Sequence, residues 1–205
     1  TTDRLFSMGT LGGTLNASGT GAVSFTNTGS IGFNGQSGTR TLTLTGSNTG
    51  SNTLAAVIGD NGGATSLTKS ALGTWVLTGA NIYTGATTIS GGVLQVGNGG
   101  TSGALGSGSV TDNGNLTFNR SDAITVSNTI SGSGSLTQAG TGTTTLSGTN
   151  GYIGVTTITA GVLNVTTLAN GGSSSNIGAS SSANTNLVLN GGTLKSSPGA
   201  ASAGS

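Results

Sequence analysis

An internal repeat constrains the fold of this chain more than any other feature of its sequence. Residues 66–96 match residues 135–165 without a gap at a constant offset of 69 positions, and 17 of the 31 aligned positions are identical. Further along, residues 110–116 resemble residues 188–194 at an offset of 78, which implies an insertion of about nine residues after the second copy. Because no linker of different composition separates these segments, we expect residues 1–205 to form one continuous repetitive unit.

The apolar residues lie in short segments separated by turn signals. The segments are rich in Val, Ile, Leu and Thr, and many alternate apolar with hydroxyl side chains, as expected of a strand with one buried face. Asn-Gly and Gly-Gly pairs between them are typical of tight turns. Glycine supplies 41 of the 205 residues and interrupts every window long enough for a helix, so we predict an all-β fold without significant helix. The clearest predicted strands are residues 41–45, 74–78, 93–96, 115–118, 123–126, 143–147 and 187–189.

Two all-β layouts are compatible with these segments. Asn-Gly turns favour antiparallel hairpins, and therefore a sandwich or a barrel. The long internal repeat, the small apolar residues and the low aromatic content of 3% favour a parallel β-solenoid, in which backbone hydrogen bonds run between stacked coils. We predict the solenoid, with roughly ten coils of about 20 residues in a rod about 50 Å long at ~4.8 Å per coil.

The composition argues against several classes of function. The chain has no His, Cys or Glu, so it lacks the usual ligands of zinc, iron–sulfur and haem sites and the usual base–nucleophile pairs. Five basic residues face four acidic ones, which is too little positive charge for a nucleic-acid partner. No apolar run reaches the about 18 residues that a membrane span needs. We therefore expect a non-enzyme without metal or cofactor that neither binds nucleic acid nor spans a membrane in this segment.

The sequence of residues 66–100, SLTKSALGTWVLTGANIYTGATTISGGVLQVGNGG, resembles the passenger-associated repeat of bacterial autotransporters. The second copy, residues 135–165, is similar but has Gln138 where the repeat usually has Lys, and Ala71 of the first copy stands where Gly is usual. Residues 177–196 are similar to segments that follow such repeats. The resemblance implies a right-handed parallel β-helix outside the cell or on the surface of a Gram-negative-type bacterium. It implies no particular activity.

Three aromatic residues are the candidate ligand-binding residues. Trp75, Tyr83 and Tyr152 are the large aromatic side chains with a polar atom, and Tyr83 aligns with Tyr152 in the repeat. Rings displayed along a groove would stack against sugars, whereas rings that cover the corner of a coil would be structural. The residue pattern favours the structural interpretation.

The other polar candidates have simpler explanations. Asp60 and Asp112 lie in oxygen-rich turns, but calcium sites usually need several carboxylates, so we expect ordinary Asp-Asn-Gly turns without metal. Arg120 and Asp122 are expected to form a surface ion pair worth less than ~1 kcal/mol rather than a catalytic couple. The threonines of residues 41–45 would present a hydroxyl face of the kind that binds ice, but the sequence does not show the alternation in successive coils. We expect them to be outward strand residues.

The function predicted from these features is structural. We expect a non-catalytic extracellular β-solenoid, either a passenger stalk or a fibre-forming segment whose copies stack head to tail because the ends show no obvious cap. The alternative is an adhesin that binds a glycan or protein ligand of a host or neighbouring cell on its Thr/Asn-rich faces. A third hypothesis, a β-helical polysaccharide lyase or hydrolase, requires the coils to bring together carboxylates such as Asp112 and Asp122.

Overall fold

The computed structural model describes residues 1–197, and within them the prediction of an all-β fold is confirmed. Residues 1–197 contain no helix that could span a membrane. The predicted continuous unit over residues 1–205 includes residues 198–205, which lie outside the described residues, so its full extent stays a prediction. The strands are β1 (Gly13–Asn16), β2 (Ser24–Phe25), β3 (Arg40–Thr45), β4 (Asn52–Leu54), β5 (Thr65–Lys69), β6 (Thr74–Leu77), β7 (Thr87–Ile89), β8 (Val93–Val96), β9 (Val110–Asp112), β10 (Asn115–Phe118), β11 (Ala123–Val126), β12 (Ile130–Ser131), β13 (Ser135–Gln138), β14 (Thr143–Leu146), β15 (Thr156–Ile158), β16 (Val162–Val165), β17 (Leu187–Leu189) and β18 (Thr193–Ser196).

The strands form three sheets that run along the molecule. The first sheet has the order β1-β3-β5-β7-β9-β12, the second β17-β15-β13-β10-β8-β6-β4-β2, and the third β11-β14-β16-β18. Every pair of neighbouring strands in these orders is parallel and joins one coil to the next. The chain is therefore a parallel β-solenoid, and the antiparallel sandwich or barrel is excluded for the described residues.

The predicted number of coils was too high. The three sheets contain six, eight and four strands, against the roughly ten coils expected. The reason is that some coils are longer than the 20 residues assumed: hydrogen-bonded positions on adjacent coils are 20 residues apart at Asn115 and Ser135 but 29 apart at Val23 and Asn52. At ~4.8 Å per strand, the eight-stranded sheet makes the solenoid about 40 Å long rather than 50 Å.

The interior consists of aligned columns of apolar side chains. Because successive side chains of a strand point to opposite faces, residues paired across a sheet form inward and outward columns. One inward column of the second sheet contains Leu54, Leu77, Val96 and Phe118, each at most 1% exposed. Each coil buries its apolar residues against the coils on either side, so a single coil has no core of its own.

The two copies of the sequence repeat lie on different faces of the solenoid. In the first copy, strands β5 and β7 belong to the first sheet and β6 and β8 to the second. In the second copy, the equivalent strands β13 and β15 belong to the second sheet, and β14 and β16 to the third. The offset of 69 residues therefore corresponds to three complete coils plus the step from one sheet to the next. The second copy is rotated by about one third of a turn around the solenoid axis relative to the first.

Glycines allow the turns of neighbouring coils to pack closely. A Cβ atom at Gly106 would overlap both the backbone carbonyl oxygen and the ring of Tyr83 on the preceding coil. In the second copy, Gly178 has the same relation to the ring of Tyr152. The absence of a side chain at these positions is thus a steric requirement of the stacking.

We predict that Gly106→Ala lowers the free energy of unfolding by about 2 kcal/mol, because the coils must shift to admit the methyl group. Gly19→Ala is the matched control, since a Cβ there has no neighbour within 4 Å. Urea denaturation followed by circular dichroism would measure both variants. Equal stability of Gly106→Ala and the control would contradict the proposed packing.

Candidate functional site

The three aromatic candidates lie inside the solenoid. Trp75 is 1% exposed, and its Nε1 donates a hydrogen bond to the carbonyl of Thr45 at 3.0 Å. Tyr83 is fully buried, and its hydroxyl is hydrogen bonded to the hydroxyl of Thr87 at 2.8 Å. Burial raises the pKa of Tyr83 above its usual value. The burial of both rings favours the structural interpretation. Stacking of a ligand on these rings would need an exposed ring face, and it stays a prediction.

Tyr152 repeats the arrangement of Tyr83. It is fully buried, and its hydroxyl is hydrogen bonded to the hydroxyl of Thr156 at 2.7 Å. Burial raises the pKa of the Tyr152 phenol as well. The tyrosines of the two copies therefore perform the same task, closing a corner of the coil with a hydrogen bond to the strand that follows.

A buried asparagine next to each tyrosine joins three consecutive coils. The Oδ1 atom of Asn81 accepts a hydrogen bond from the backbone N–H of Ile58 at 2.8 Å, on the preceding coil. Its Nδ2 atom donates to the carbonyl of Ala104 at 2.8 Å, on the following coil. Because an amide both accepts and donates, one side chain satisfies two backbone groups that strand pairing leaves free.

Asn150 has the same contacts in the second copy. Its Oδ1 accepts from the N–H of Ile130 at 2.8 Å, and its Nδ2 donates to the carbonyl of Asn176 at 2.7 Å. Asn52 also joins neighbouring coils, accepting from Val23 at 2.8 Å and donating to Thr74 at 2.7 Å. These side chains form a series of amide bridges along the corners of the solenoid.

The lysine of the first copy is part of the core. Lys69 is fully buried, and its ammonium donates three hydrogen bonds of 2.8–3.0 Å to backbone carbonyls. Burial lowers the pKa of Lys69 to about 8. Gln138 replaces it in the second copy, where Nε2 donates to Gly140 at 2.8 Å. The carbonyls that Lys69 binds belong to Ser70, Ala71 and Gly91.

Two of the aspartates make structural hydrogen bonds or ion pairs. Asp60 accepts from the backbone N–H of Thr65 at 2.7 Å and from the hydroxyl of Thr84 at 2.6 Å, so it ties adjacent coils. Arg120 and Asp122 form the expected ion pair at 2.6 Å. Within residues 1–197 no three His, Cys, Asp or Glu side chains come together as a group that could hold a metal ion.

Asp112 makes the side-chain contact of the expected Asp-Asn-Gly turn, but its side chain faces the interior. It is fully buried at the end of β9, and its Oδ1 accepts from the N–H of Gly114 at 3.0 Å. Its Oδ2 has no hydrogen-bond partner among the described residues. Burial raises the pKa of Asp112 from 3.8 to about 6, because the charged form loses its hydration in the core.

The outward face of the first sheet carries a column of hydroxyl groups. Strand pairing aligns one threonine from each of five successive coils, followed by a serine. The expectation that the alternation is not kept between coils was wrong for this sheet, because the unequal coil lengths hide the alignment in the sequence. The column consists of Thr14, Thr43, Thr68, Thr88, Thr111 and Ser131.

Comparison with known proteins agrees with this geometry. A family model described as the passenger-associated-transport-repeat matches residues 67–96 and 136–165, which are the two copies that contain Asn81, Asn150 and the buried tyrosines. The chain contains two autotransporter passenger repeats, which together cover 60 of its 205 residues. It is accordingly extracellular or displayed on the surface of a Gram-negative bacterium.

A curated relative also connects the chain with autotransporters. The chain is 49% identical over 84 residues to the protein named "Adhesin BmaC autotransporter" of Brucella suis biovar 1 (strain 1330). The match covers 40% of this chain and 2% of that protein, so the chain corresponds to a small part of its relative. No solved structure matches the chain.

Each copy of the passenger repeat holds neighbouring coils together through one buried asparagine. The sequence identified the motif, but the role of Asn81 and Asn150, which bridge coils at its corners, was missed. The available signal was their identity in both copies next to a tyrosine, together with the ability of an amide to donate and accept. Nothing in the sequence indicated that Lys69 and Asp112 are buried, since charged residues usually lie on the surface.

We predict that Asn81→Ala lowers the free energy of unfolding of the chain by about 3 kcal/mol, because it leaves a buried N–H and a partly buried C=O without partners. Asn98→Ala removes an exposed amide and serves as the control, with a change within about 0.5 kcal/mol. Denaturation midpoints would be compared in parallel. A loss no larger than that of the control would show that the amide bridge contributes nothing.

Asp112 predicts a pH dependence of stability. Its pKa is raised in the folded state, so its contribution is fully present below about pH 3.8 and is lost as the pH rises through about 6. Relative to Asp112→Asn, the wild-type chain should lose about 2 kcal/mol of its free energy of unfolding between pH 4 and pH 7, at ~1.4 kcal/mol per pKa unit. Urea denaturation at several pH values measures the difference. Parallel pH profiles of the two proteins would contradict the raised pKa.

Proposed function

We propose that this segment is a non-catalytic structural stalk of a surface-displayed passenger. The observation that carries the proposal is the eight-stranded parallel sheet, in which each coil is bonded to the next along the whole described length. The amide bridges at Asn52, Asn81 and Asn150 extend this bonding to the corners. Bending or extending such a rod breaks several hydrogen bonds at once, so it holds what it carries at a fixed distance.

The positions of the acidic residues support a structural role over hydrolysis. Asp60 and Asp122 are held by Thr84 and by Arg120, respectively. Asp112 is enclosed in the core, where a polysaccharide chain has no access. The carboxylate pair that a glycosidase uses, with both groups flanking one bond, requires a different arrangement.

An adhesin is the second candidate, and the hydroxyl column of the first sheet is the observation that favours it. The column offers one hydroxyl per coil, at a spacing of ~4.8 Å, to a glycan or protein ligand of a host or neighbouring cell. The relative from Brucella suis is named an adhesin, and the match covers 40% of this chain and 2% of that protein. Binding to the Thr/Asn-rich faces is compatible with the rod, since the outward side chains do not build the core.

Head-to-tail stacking of copies is a further part of the proposal. Leu189 of β17 continues the inward column of Ile158, yet it is 58% exposed while Ile158 is fully buried. Strand β17 is the last strand of the second sheet and has one unpaired edge among the described residues. An edge of this kind, with apolar inward residues, can pair with a strand from another copy.

The stalk predicts the shape of the purified 205-residue chain. Negative-stain electron microscopy should show straight rods about 40 Å long at low concentration. Filaments many rod lengths long at high concentration would show that copies also stack head to tail. The Leu189→Lys variant should then form no filaments. Flexible or spherical particles would contradict the rigid-rod proposal.

The same preparation distinguishes the stalk from the adhesin. Binding to glycan and cell-surface arrays that is lost in a Thr68→Lys, Thr88→Lys double variant would establish the adhesin. Thr157→Lys, on the outward face of the second sheet, is the matched control and should leave that binding intact. Turnover of a polysaccharide that is abolished by Asp122→Asn would overturn the non-catalytic proposal.

A further inference from the structure

The link between β16 and β17 forms an open surface cavity of about 400 Å³, lined mostly by exposed residues. This is the part of the chain in which the sequence departs from the repeat by an insertion. The cavity lies outside the stacked core. The match to the passenger repeat ends at residue 165, before Ala169, the first residue that lines the cavity. Its lining includes Asn170, Ser173, Ile177, Ser182, Asn184 and Leu187.

Asn176, which is buried, fixes the base of this link. Its Oδ1 accepts from the backbone N–H groups of Thr166 at 2.8 Å and Thr167 at 2.7 Å. Its Nδ2 donates to the carbonyl of Gly148 at 2.8 Å, on the preceding coil. The side chain is 1% exposed, so the inserted segment is anchored to the solenoid by a fully engaged amide.

The two sides of the cavity are joined directly. The N–H of Gly172 donates to the carbonyl of Ser180 at 2.9 Å, and a Cβ at Gly171 would overlap the backbone of Ser182. Asn186 donates from Nδ2 to the hydroxyl of Ser181 at 2.8 Å. These contacts hold the cavity open without a ligand, and a preformed site has a lower entropic cost of binding.

The chemistry of the lining defines the ligand class. The cavity lining contains no charged side chain, so a charged ligand would lose hydration without gaining an oppositely charged partner. Asn170 and Asn184 offer exposed amides, which would lose hydrogen bonds to water if a purely apolar ligand covered them. Ile177 and Leu187 add apolar surface to the lining. A neutral molecule with many hydroxyl groups and C–H faces matches this combination.

We propose that the cavity binds an uncharged saccharide of one or two residues. Side-chain amides and hydroxyls bond to the sugar hydroxyls, and Ile177 and Leu187 contact its C–H faces. The volume lies within the range of about 300–1,000 Å³ that is usual for small-molecule sites. This site goes beyond the stalk function, which needs no ligand, and it is separate from the hydroxyl column of the first sheet.

The test is a titration of the isotope-labelled 205-residue chain with neutral hexoses, N-acetylhexosamines and their disaccharides. Saturable shifts are expected in the backbone amide signals of Ser173 and Asn184. Asn184→Ala should weaken binding about fivefold, as expected for the loss of one hydrogen bond. Ser182→Trp should fill the cavity and abolish binding. Asn98→Ala, an exposed amide in another turn, is the control and should bind as the wild type does.

Three results would overturn the proposal. These are the absence of saturable shifts with every neutral sugar at millimolar concentration, sugar binding that survives Ser182→Trp, and binding restricted to sialylated or sulfated sugars. The amide spectrum of each variant shows whether the solenoid is intact, and Asn184→Ala changes only an exposed side chain. Absence of sugar binding would not change the rods expected in microscopy, so the two experiments test the stalk and the sugar site independently.

Discussion

The solenoid depends on hydrogen bonds between coils, because a parallel coil has almost no backbone partners within itself. Along the strands, parallel pairing supplies them. At the corners, where pairing stops, the amides of Asn81 and Asn150 replace the missing backbone partners on both sides. The ammonium of Lys69 performs a similar task for a group of carbonyls. The polar residues of the interior are therefore a continuation of the backbone network.

The same constraint explains the composition of the chain. Coils that are bonded at a spacing of ~4.8 Å leave no room for side chains at their closest approaches, so glycine occupies positions such as Gly106 and Gly178. The interior admits short columns of Leu, Val and Ile, with an occasional large ring such as Trp75. Each coil is stabilised only by its neighbours, and the stability of the rod accordingly grows with the number of stacked coils.

Much of the fold could be predicted from the sequence, since repetition and the two-residue period are local signals. The predicted strands 93–96 and 115–118 coincide with β8 and β10. Coil number and the threonine column could not be predicted, because both depend on loop lengths that differ between coils. The inward position of Asp112 was also hidden, since an Asp-Asn-Gly sequence usually marks an exposed turn. The cavity after β16 depends on how two loops pack, which no periodicity records.

The displacement of the second repeat copy by one face has a geometrical consequence for longer arrays. If each further copy advances by the same three coils and one face, the fourth copy returns to the orientation of the first. Loops at equivalent positions would then follow a spiral staircase around the rod, pointing in three directions in turn. A ligand-bearing loop inserted once per copy would be presented on every side of the surface structure, whatever its rotation relative to an approaching cell.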